Sequence, residues 1–188
     1  TGSGAAGSRV AELSGKNIKK TVLGLGGSDA FVVLKDASLQ ACVDAAVSGR
    51  MLNCGQSCIA AKRFLVHEDV YGDFIHSLKR SVDTLVVGDP MLRETQVGPL
   101  ARLDILERLE RQVDRSVELG AEVVCGGKRV DSPGYFYQPT VLANISDSMP
   151  VYSEETFGPV FSVFSCRDTD EMVRIANDTD FGLGGSVW

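Results

Sequence analysis

Apolar residues recur along the chain at two different spacings, and the two spacings alternate. Intervals of three or four residues predict helices, whereas short runs of β-branched and aromatic residues predict strands. The helices are predicted after the glycine-rich residues 1–7 and over 39–49, 68–82, 101–120 and 168–176. The strands are predicted over 19–25, 30–34, 63–66, 122–125, 135–142, 160–164 and 184–188. This alternation favours an α/β domain with a largely parallel sheet and flanking helices.

The same pattern predicts where some individual side chains lie. The helix over 101–120 has an apolar stripe that is expected to face the core, formed by Leu103, Leu106, Leu109, Val113 and Val117. Pro139 falls inside the predicted strand 135–142, which indicates an edge strand or a bulge because proline cannot donate to a β ladder. His67 stands just before a helix, where we expect a surface or capping role.

The composition excludes several classes of protein. With 44% hydrophobic residues among 188, the chain suits one domain with a real core. Its 19 basic and 25 acidic residues are interspersed and give a net charge of −6, so neither nucleic acid nor an anionic membrane is an expected partner. No apolar run reaches the length of a membrane span.

The five cysteines are odd in number and widely spaced, and no secretory signal precedes them. This pattern predicts reduced thiols in a cytoplasmic protein. Only two histidines are present, so no metal site is expected. The chain begins without methionine in a glycine-rich run and closes on a strand-like run, from which we expect it to be a piece of a longer polypeptide.

The connection over 53–58, Asn-Cys-Gly-Gln-Ser-Cys, places Cys58 on an irregular segment between a predicted helix and a predicted strand. A cysteine becomes a useful nucleophile as its thiolate, which requires partial exposure together with a positive potential or oriented backbone N–H groups. Gly55 allows close approach of the backbone, and the amide of Gln56 can pin the loop. The alternative is an inert thiol that packs as a small hydrophobic side chain.

Two further segments have both a functional and a structural interpretation. The glycine-rich residues 1–7 open a helix whose free N–H groups can face a phosphate, but small residues there also permit close packing. Glu154 and Glu155 precede a Gly-Pro turn and a strand, so one carboxylate can face a cleft. Acids at the start of a helix serve equally well without any function.

Six motifs occur together in an order and spacing that resemble the NAD(P)-dependent aldehyde dehydrogenase family. They are Thr1-Gly2-Ser3, Leu23-Gly24-Leu25-Gly26-Gly27, Asn53-Cys54-Gly55-Gln56-Ser57-Cys58, Gly88-Asp89-Pro90, Val97-Gly98-Pro99 and Glu154-Glu155-Thr156-Phe157-Gly158-Pro159-Val160. The resemblance covers all 188 residues. The runs Gly26-Gly27-Ser28-Asp29 and Ala60-Ala61-Lys62-Arg63-Phe64 are most similar to the succinate-semialdehyde dehydrogenase branch.

The resemblance implies a role for each matched residue. Cys58 attacks the aldehyde carbon, and after hydride transfer to NAD or NADP it carries a thioester. Gly2 and Ser3 match the segment beside the cofactor pyrophosphate and nicotinamide. Glu155 matches the acid that binds the nicotinamide ribose hydroxyls, and Phe157 is expected to pack nearby.

The resemblance also implies an organisation for the molecule. Residues 1–24 correspond to the end of the cofactor-binding region, and residues 25–188 correspond to the catalytic domain, incomplete at its C-terminus. The expected partner is a small-molecule aldehyde, for which succinate semialdehyde is the candidate. The full-length protein is expected to be a homo-oligomer.

One departure from the family pattern bears on the reaction. Where the family has Glu-Leu-Gly-Gly, with the Glu activating water to hydrolyse the thioester, this chain has Gly24-Leu25-Gly26-Gly27. General-base assistance is typically worth ~10² to 10⁴ in rate, so thioester hydrolysis is the step expected to suffer. The alternatives are an impaired or non-catalytic family member, another base such as Asp29 or Glu154, or release of the acyl group to a thiol such as coenzyme A.

Overall fold

Helices and strands alternate through the computed structural model, which describes residues 1–188. The helices are α1 (Gly4–Lys16), α2 (Leu39–Met51), α3 (Glu68–Asp83), α4 (Leu103–Glu118), α5 (Pro150–Ser153) and α6 (Thr169–Asn177). The strands are β1 (Asp29–Val33), β2 (Ala61–His67), β3 (Glu122–Cys125), β4 (Thr140–Ala143), β5 (Val160–Cys166) and β6 (Gly185–Val187). A short 3-10 turn over Leu52–Gly55 follows α2.

All six strands form one sheet in the order β3-β4-β5-β2-β1-β6. Every neighbouring pair is parallel except β3 and β4, which are antiparallel. The predicted α/β fold with a largely parallel sheet is therefore confirmed. A sheet of this kind is buried on both faces, which explains why buried and exposed residues do not alternate along β1, β2 and β5.

Alternate residues of the central strands enter two separate cores. Phe64 of β2 packs on one face between Phe31 of β1 and Phe161 of β5, with ring centroids 5.3 and 5.1 Å apart. That face is covered by α2, α3 and α4, whereas Leu65 enters a smaller core with Met172 of α6 on the opposite face. Neither face of the central strands is left open to solvent.

The predicted strand over 19–25 is wrong, because this segment is irregular. Val22 is 98% exposed, and only two backbone hydrogen bonds link the segment to the rest of the chain, from Gly2 N to Gly24 O and from Lys19 N to Ser14 O. A strand requires a neighbour for its ladder, and residues 19–25 have none.

Two expectations about side chains are also corrected. The predicted strand 135–142 shortens to β4, which begins after Pro139 and lies inside the sheet rather than at its edge. Leu103 and Val117 are 44% and 40% exposed, because they lie in the end turns of α4, beyond its central contact with the core. His67 does cap α3, since its side chain accepts a hydrogen bond from Asp69 N.

Candidate active site

Three connecting segments meet at one edge of the sheet. Gly27 precedes β1, Cys58 precedes β2 and Glu155 precedes β5. These three strands are parallel neighbours. Because parallel strands begin at the same edge of a sheet, Gly27 and Glu155 come into hydrogen-bond contact although they are 128 residues apart in sequence.

The loop before Cys58 is folded back on itself by an unusual backbone conformation. Residues 53–55 have successive φ values of 53°, 56° and 72°, in the left-handed region. Gly55 is required here, because a Cβ at this position would lie 2.2 Å from the carbonyl oxygen of Gly158. The buried guanidinium of Arg50 donates to the carbonyls of Gly55, Gly158 and Thr156, and so joins the loop to the segment that carries Glu155.

Gln56 pins the loop from the other side, as its sequence context predicts. Its Oε1 accepts a hydrogen bond from Ala101 N at 2.8 Å, and its Nε2 donates to Asn53 O at 3.0 Å. Asn53 Nδ2 returns a bond to Gln56 O at 3.0 Å. The loop is therefore held by specific polar contacts in addition to packing.

Lys62, at the start of β2, is a site residue that sequence reasoning missed. Its side chain is 1% exposed, and its Nζ donates to the carbonyls of Ser57, Cys58 and Ala60 at 2.9, 3.1 and 2.9 Å. The same nitrogen lies 3.8 Å from Oε1 of Glu155. One ammonium group thus joins the cysteine loop to the neighbouring acid.

Burial, together with the positive charge of Arg50, lowers the pKa of Lys62 to about 8. The opposing influences come from Glu155, Asp29 and Cys58. The three carbonyl acceptors also favour the charged form. In the sequence, the feature that could have predicted buried charge here is the consecutive Lys-Arg pair at the start of an apolar strand.

The two glycines before β1 allow the close approach of Cys58 and Glu155. A Cβ on Gly27 would lie 2.2 Å from the backbone carbonyl oxygen of Cys58, and one on Gly26 would lie 2.5 Å from Oε2 of Glu155. The N–H of Gly27 donates to Oε1 of Glu155 at 3.1 Å. Glycine is the residue that this turn can accommodate without displacing its neighbours.

Gln112 of α4 is a second site residue that the sequence did not reveal. It is 4% exposed, and its Nε2 donates to Oε2 of Glu154 at 2.7 Å and to the backbone carbonyl of Glu155 at 3.2 Å. Glu154 also lies 3.7 Å from Arg108. These contacts fix the acidic segment from the helix side.

The segments enclose a cavity of about 800 Å³. This volume lies within the range of pockets that bind small molecules and cofactors. The structure brings together all five residues that the sequence singled out, since the cavity is lined by Gly2, Ser3, Cys58, Glu155 and Phe157. The order of three adjacent strands and the approach of α1 are what create this juxtaposition.

Cys58 differs from the other four cysteines in its surroundings. It is partly exposed and lines the cavity, whereas Cys42, Cys54 and Cys166 are buried. Burial raises the pKa of Cys54 to about 12 and that of Cys166 to about 11, and it also raises the pKa values of Cys42 and Cys125. These four thiols therefore form little thiolate at neutral pH.

The whole of residues 1–188 matches the model of the aldehyde dehydrogenase family. The chain belongs to the aldehyde dehydrogenase family. No group of three or more potential ligands among its His, Cys, Asp and Glu side chains is placed to hold a metal ion. No helix combines the length and apolar character that a membrane crossing requires.

The relatives of this aldehyde dehydrogenase chain include named succinate-semialdehyde dehydrogenases. It is 52% identical over 188 residues to succinate-semialdehyde dehydrogenase (NADP(+)) 1 of Mycobacterium tuberculosis (strain ATCC 25618 / H37Rv), covering 100% of this chain and 41% of that protein. It is 50% identical to succinate-semialdehyde dehydrogenase (NADP(+)) of Mycobacterium leprae (strain TN) over the same 188 residues, again 41% of that protein. The chain thus spans about two-fifths of the length of these relatives.

Solved structures have the same fold. The succinic semialdehyde dehydrogenase from Streptococcus pyogenes, in complex with NADP+ as the cofactor, is 38% identical with a TM-score of 0.96, covering 100% of this chain and 41% of that one. The succinate-semialdehyde dehydrogenase from Burkholderia pseudomallei is 38% identical with a TM-score of 0.97, covering 100% of this chain and 39% of that one.

We expect Gly27→Ala to disturb the site, because its Cβ has no room beside the carbonyl of Cys58. Denaturant unfolding should report a loss of about 1–3 kcal/mol, the usual cost of overpacking. Gly24→Ala is the matched control, since its nearest new contact is Thr1 Oγ1 at 3.5 Å, and it should change stability by less than about 0.5 kcal/mol. Equal stabilities for the two variants would contradict this account of the glycine pair.

Proposed function

We propose that this chain carries the nucleophile of an NADP-dependent aldehyde oxidation, with Cys58 as that nucleophile and succinate semialdehyde as the aldehyde. The observation that carries the proposal is the shared cavity, in which the one thiol that lines it faces Glu155, Phe157 and the start of α1. The names of the relatives favour succinate semialdehyde and NADP(+) over other aldehydes and NAD.

The reaction begins when the Sγ thiolate of Cys58 attacks the aldehyde carbon. A C–S bond forms, and the carbonyl π electrons move to oxygen and give a thiohemiacetal oxyanion. The backbone N–H of Cys58 has no acceptor within the chain, so it is free to donate to this oxyanion. When the oxyanion collapses, the C–H bond breaks, hydride leaves and Cys58 retains a thioester.

The residues around the cavity fit a dinucleotide that accepts this hydride at its nicotinamide ring. Glu155 offers a partly exposed carboxylate for ribose hydroxyls, because its side chain retains 16% exposure and Oε2 has no ion-pair partner. Gly2 and Ser3 stand at the N-terminus of α1, where backbone N–H groups favour a phosphate. Phe157 supplies an apolar wall.

Gly24 has no side chain that could accept a proton from water. The alternative bases are engaged elsewhere: Asp29 is 8% exposed and accepts from Gly184 N at 3.1 Å, and Glu154 is held by Gln112. We therefore propose slow thioester hydrolysis. Release of the acyl group to a thiol such as coenzyme A is the second candidate function, which the missing base favours. A non-catalytic or impaired family member is the remaining alternative.

The same proposal includes a division of the chain into two regions. Residues 1–24 are assigned to the end of a cofactor-binding region and residues 25–188 to a catalytic domain. The division is supported by the exposure of 18–24, which contrasts with the buried β1 that follows. Assembly as a homo-oligomer stays a prediction.

Cys58→Ser should abolish aldehyde-dependent formation of NADPH by the complete polypeptide that carries this chain. A serine hydroxyl is a much weaker nucleophile than a thiolate at neutral pH. Absorbance at the NADPH band is the measurement, and Cys125→Ser, at the other partly exposed cysteine, is the control that should retain activity. Undiminished turnover by Cys58→Ser would remove Cys58 from the mechanism.

The missing base predicts a burst of NADPH followed by a slow steady state. Gly24→Glu should raise the steady-state rate by about 10² or more, because it restores a general base for hydrolysis. The chain can accept this side chain, since a Cβ at Gly24 meets only Thr1 Oγ1, at 3.5 Å. Stopped-flow absorbance measures both phases.

Gly24→Gln is the matched control for the Gly24→Glu experiment, because it adds the same bulk without a base. Acceleration of the unmodified protein by coenzyme A, with formation of an acyl-CoA, would favour the acylating function. Linear turnover at a fast rate, unaffected by Gly24→Glu, would contradict the argument about hydrolysis.

A further inference from the structure

The ammonium group of Lys62 contacts the backbone of the nucleophile itself. The Lys62 side chain is 1% exposed, so its Nζ atom is shielded from solvent. The Nζ atom donates to Ser57 O at 2.9 Å and to Cys58 O at 3.1 Å. These two carbonyls belong to the peptide units on either side of the Cys58 Cα atom. A buried cation placed there costs desolvation energy unless its bonds compensate it.

Because the peptide unit is planar, this contact also fixes the direction in which the Cys58 N–H points. The carbonyl of Ser57 and the N–H of Cys58 belong to one trans peptide unit, so they point in opposite directions. Because the carbonyl points at Lys62, the N–H points away from it. That N–H has no acceptor in the chain. Lys62 therefore fixes the orientation of an unpaired donor beside the thiol.

The positive charge also acts through the same peptide unit. A cation bound to a carbonyl polarises the amide and strengthens its N–H as a donor. The charges that face Lys62 are Arg50, which reinforces the positive potential, and Glu155 and Asp29, which oppose it. Glu155 is 3.8 Å away and is shared with Gly27 N, so it offsets only part of the charge.

We propose that Lys62 is a positioning residue for the reaction at Cys58, which aims and polarises the Ser57–Cys58 peptide so that the Cys58 N–H stabilises the oxyanion. This inference rests on the proposed function for the identity of the nucleophile. The inference adds Lys62, which contacts neither substrate nor cofactor in that proposal. It gives the buried charge of Lys62 a role in the reaction as well as in stability.

The test compares Lys62→Met with the unmodified polypeptide that carries this chain, using two probes of Cys58. With succinate semialdehyde and NADP, the burst rate constant should fall about 10²-fold, the scale of losing one oxyanion donor. With iodoacetamide, which forms no oxyanion, alkylation of Cys58 should slow by only about tenfold. Peptide mass spectrometry assigns the alkylated cysteine.

Two further variants complete the experiment. Lys128→Met removes an exposed lysine and should leave both rates unchanged. Lys62→Gln keeps N–H donors for the carbonyls without the charge. If Lys62→Met does not fold, Lys62→Gln carries the test, because loss of the charge should again slow the burst more than the alkylation.

The outcomes separate this inference from the proposed function. No burst in the unmodified protein would defeat the dehydrogenase proposal, while the alkylation rate of Cys58 in Lys62→Met would still test whether Lys62 acts on that residue. A normal burst that is equally fast in the Lys62 variants would overturn the inference. So would equal losses of the burst rate and the alkylation rate, because that result describes a purely structural lysine.

Discussion

The site depends on buried cations that bind backbone carbonyls at the edge where three parallel strands begin. Arg50 joins the cysteine loop to the Glu155 segment, and Lys62 holds the carbonyls around Cys58. Carbonyls in such irregular loops have no ladder partners, and leaving them buried without donors would be costly. The cations satisfy them, and the Cys58 N–H is left without an acceptor in the chain.

The sheet order explains why these particular segments meet. β5, β2 and β1 are consecutive in the sheet, so the residues that precede them converge although they are far apart in the sequence. Gly26, Gly27 and Gly55 then allow contact distances that any Cβ would prevent. Close approach at these glycines, together with the bonds of Arg50 and Lys62, therefore sets the position of the thiol relative to the acid. The four remaining thiols lie in environments that raise their pKa values.

The sequence predicted what depends on local pattern. Strand and helix alternation, the capping by His67 and the bond of Gln56 to Asn53 within its own loop all follow from short-range periodicity or hydrogen-bonding chemistry. The roles of Lys62 and Gln112 were not predicted, because they depend on carbonyls and carboxylates that tertiary structure brings near. The contact of Gln112 with Glu154 spans 42 residues of sequence. The strand expected over 19–25 failed for the same reason, since β structure requires a partner that a local pattern cannot supply. The family resemblance supplied Cys58 and Glu155 in chain order, but not the geometry that joins them.

The central claim is that Cys58 forms a covalent bond to the oxidised substrate, and acyl-enzyme trapping tests it most directly. The complete polypeptide that carries this chain is mixed with succinate semialdehyde and NADP, quenched in acid and analysed by peptide mass spectrometry. Our account predicts a succinyl thioester on Cys58 that accumulates because hydrolysis is slow, and that requires both aldehyde and cofactor. NADPH formation with no acyl group on Cys58 at any quench time, or with the acyl group on another cysteine, would contradict it.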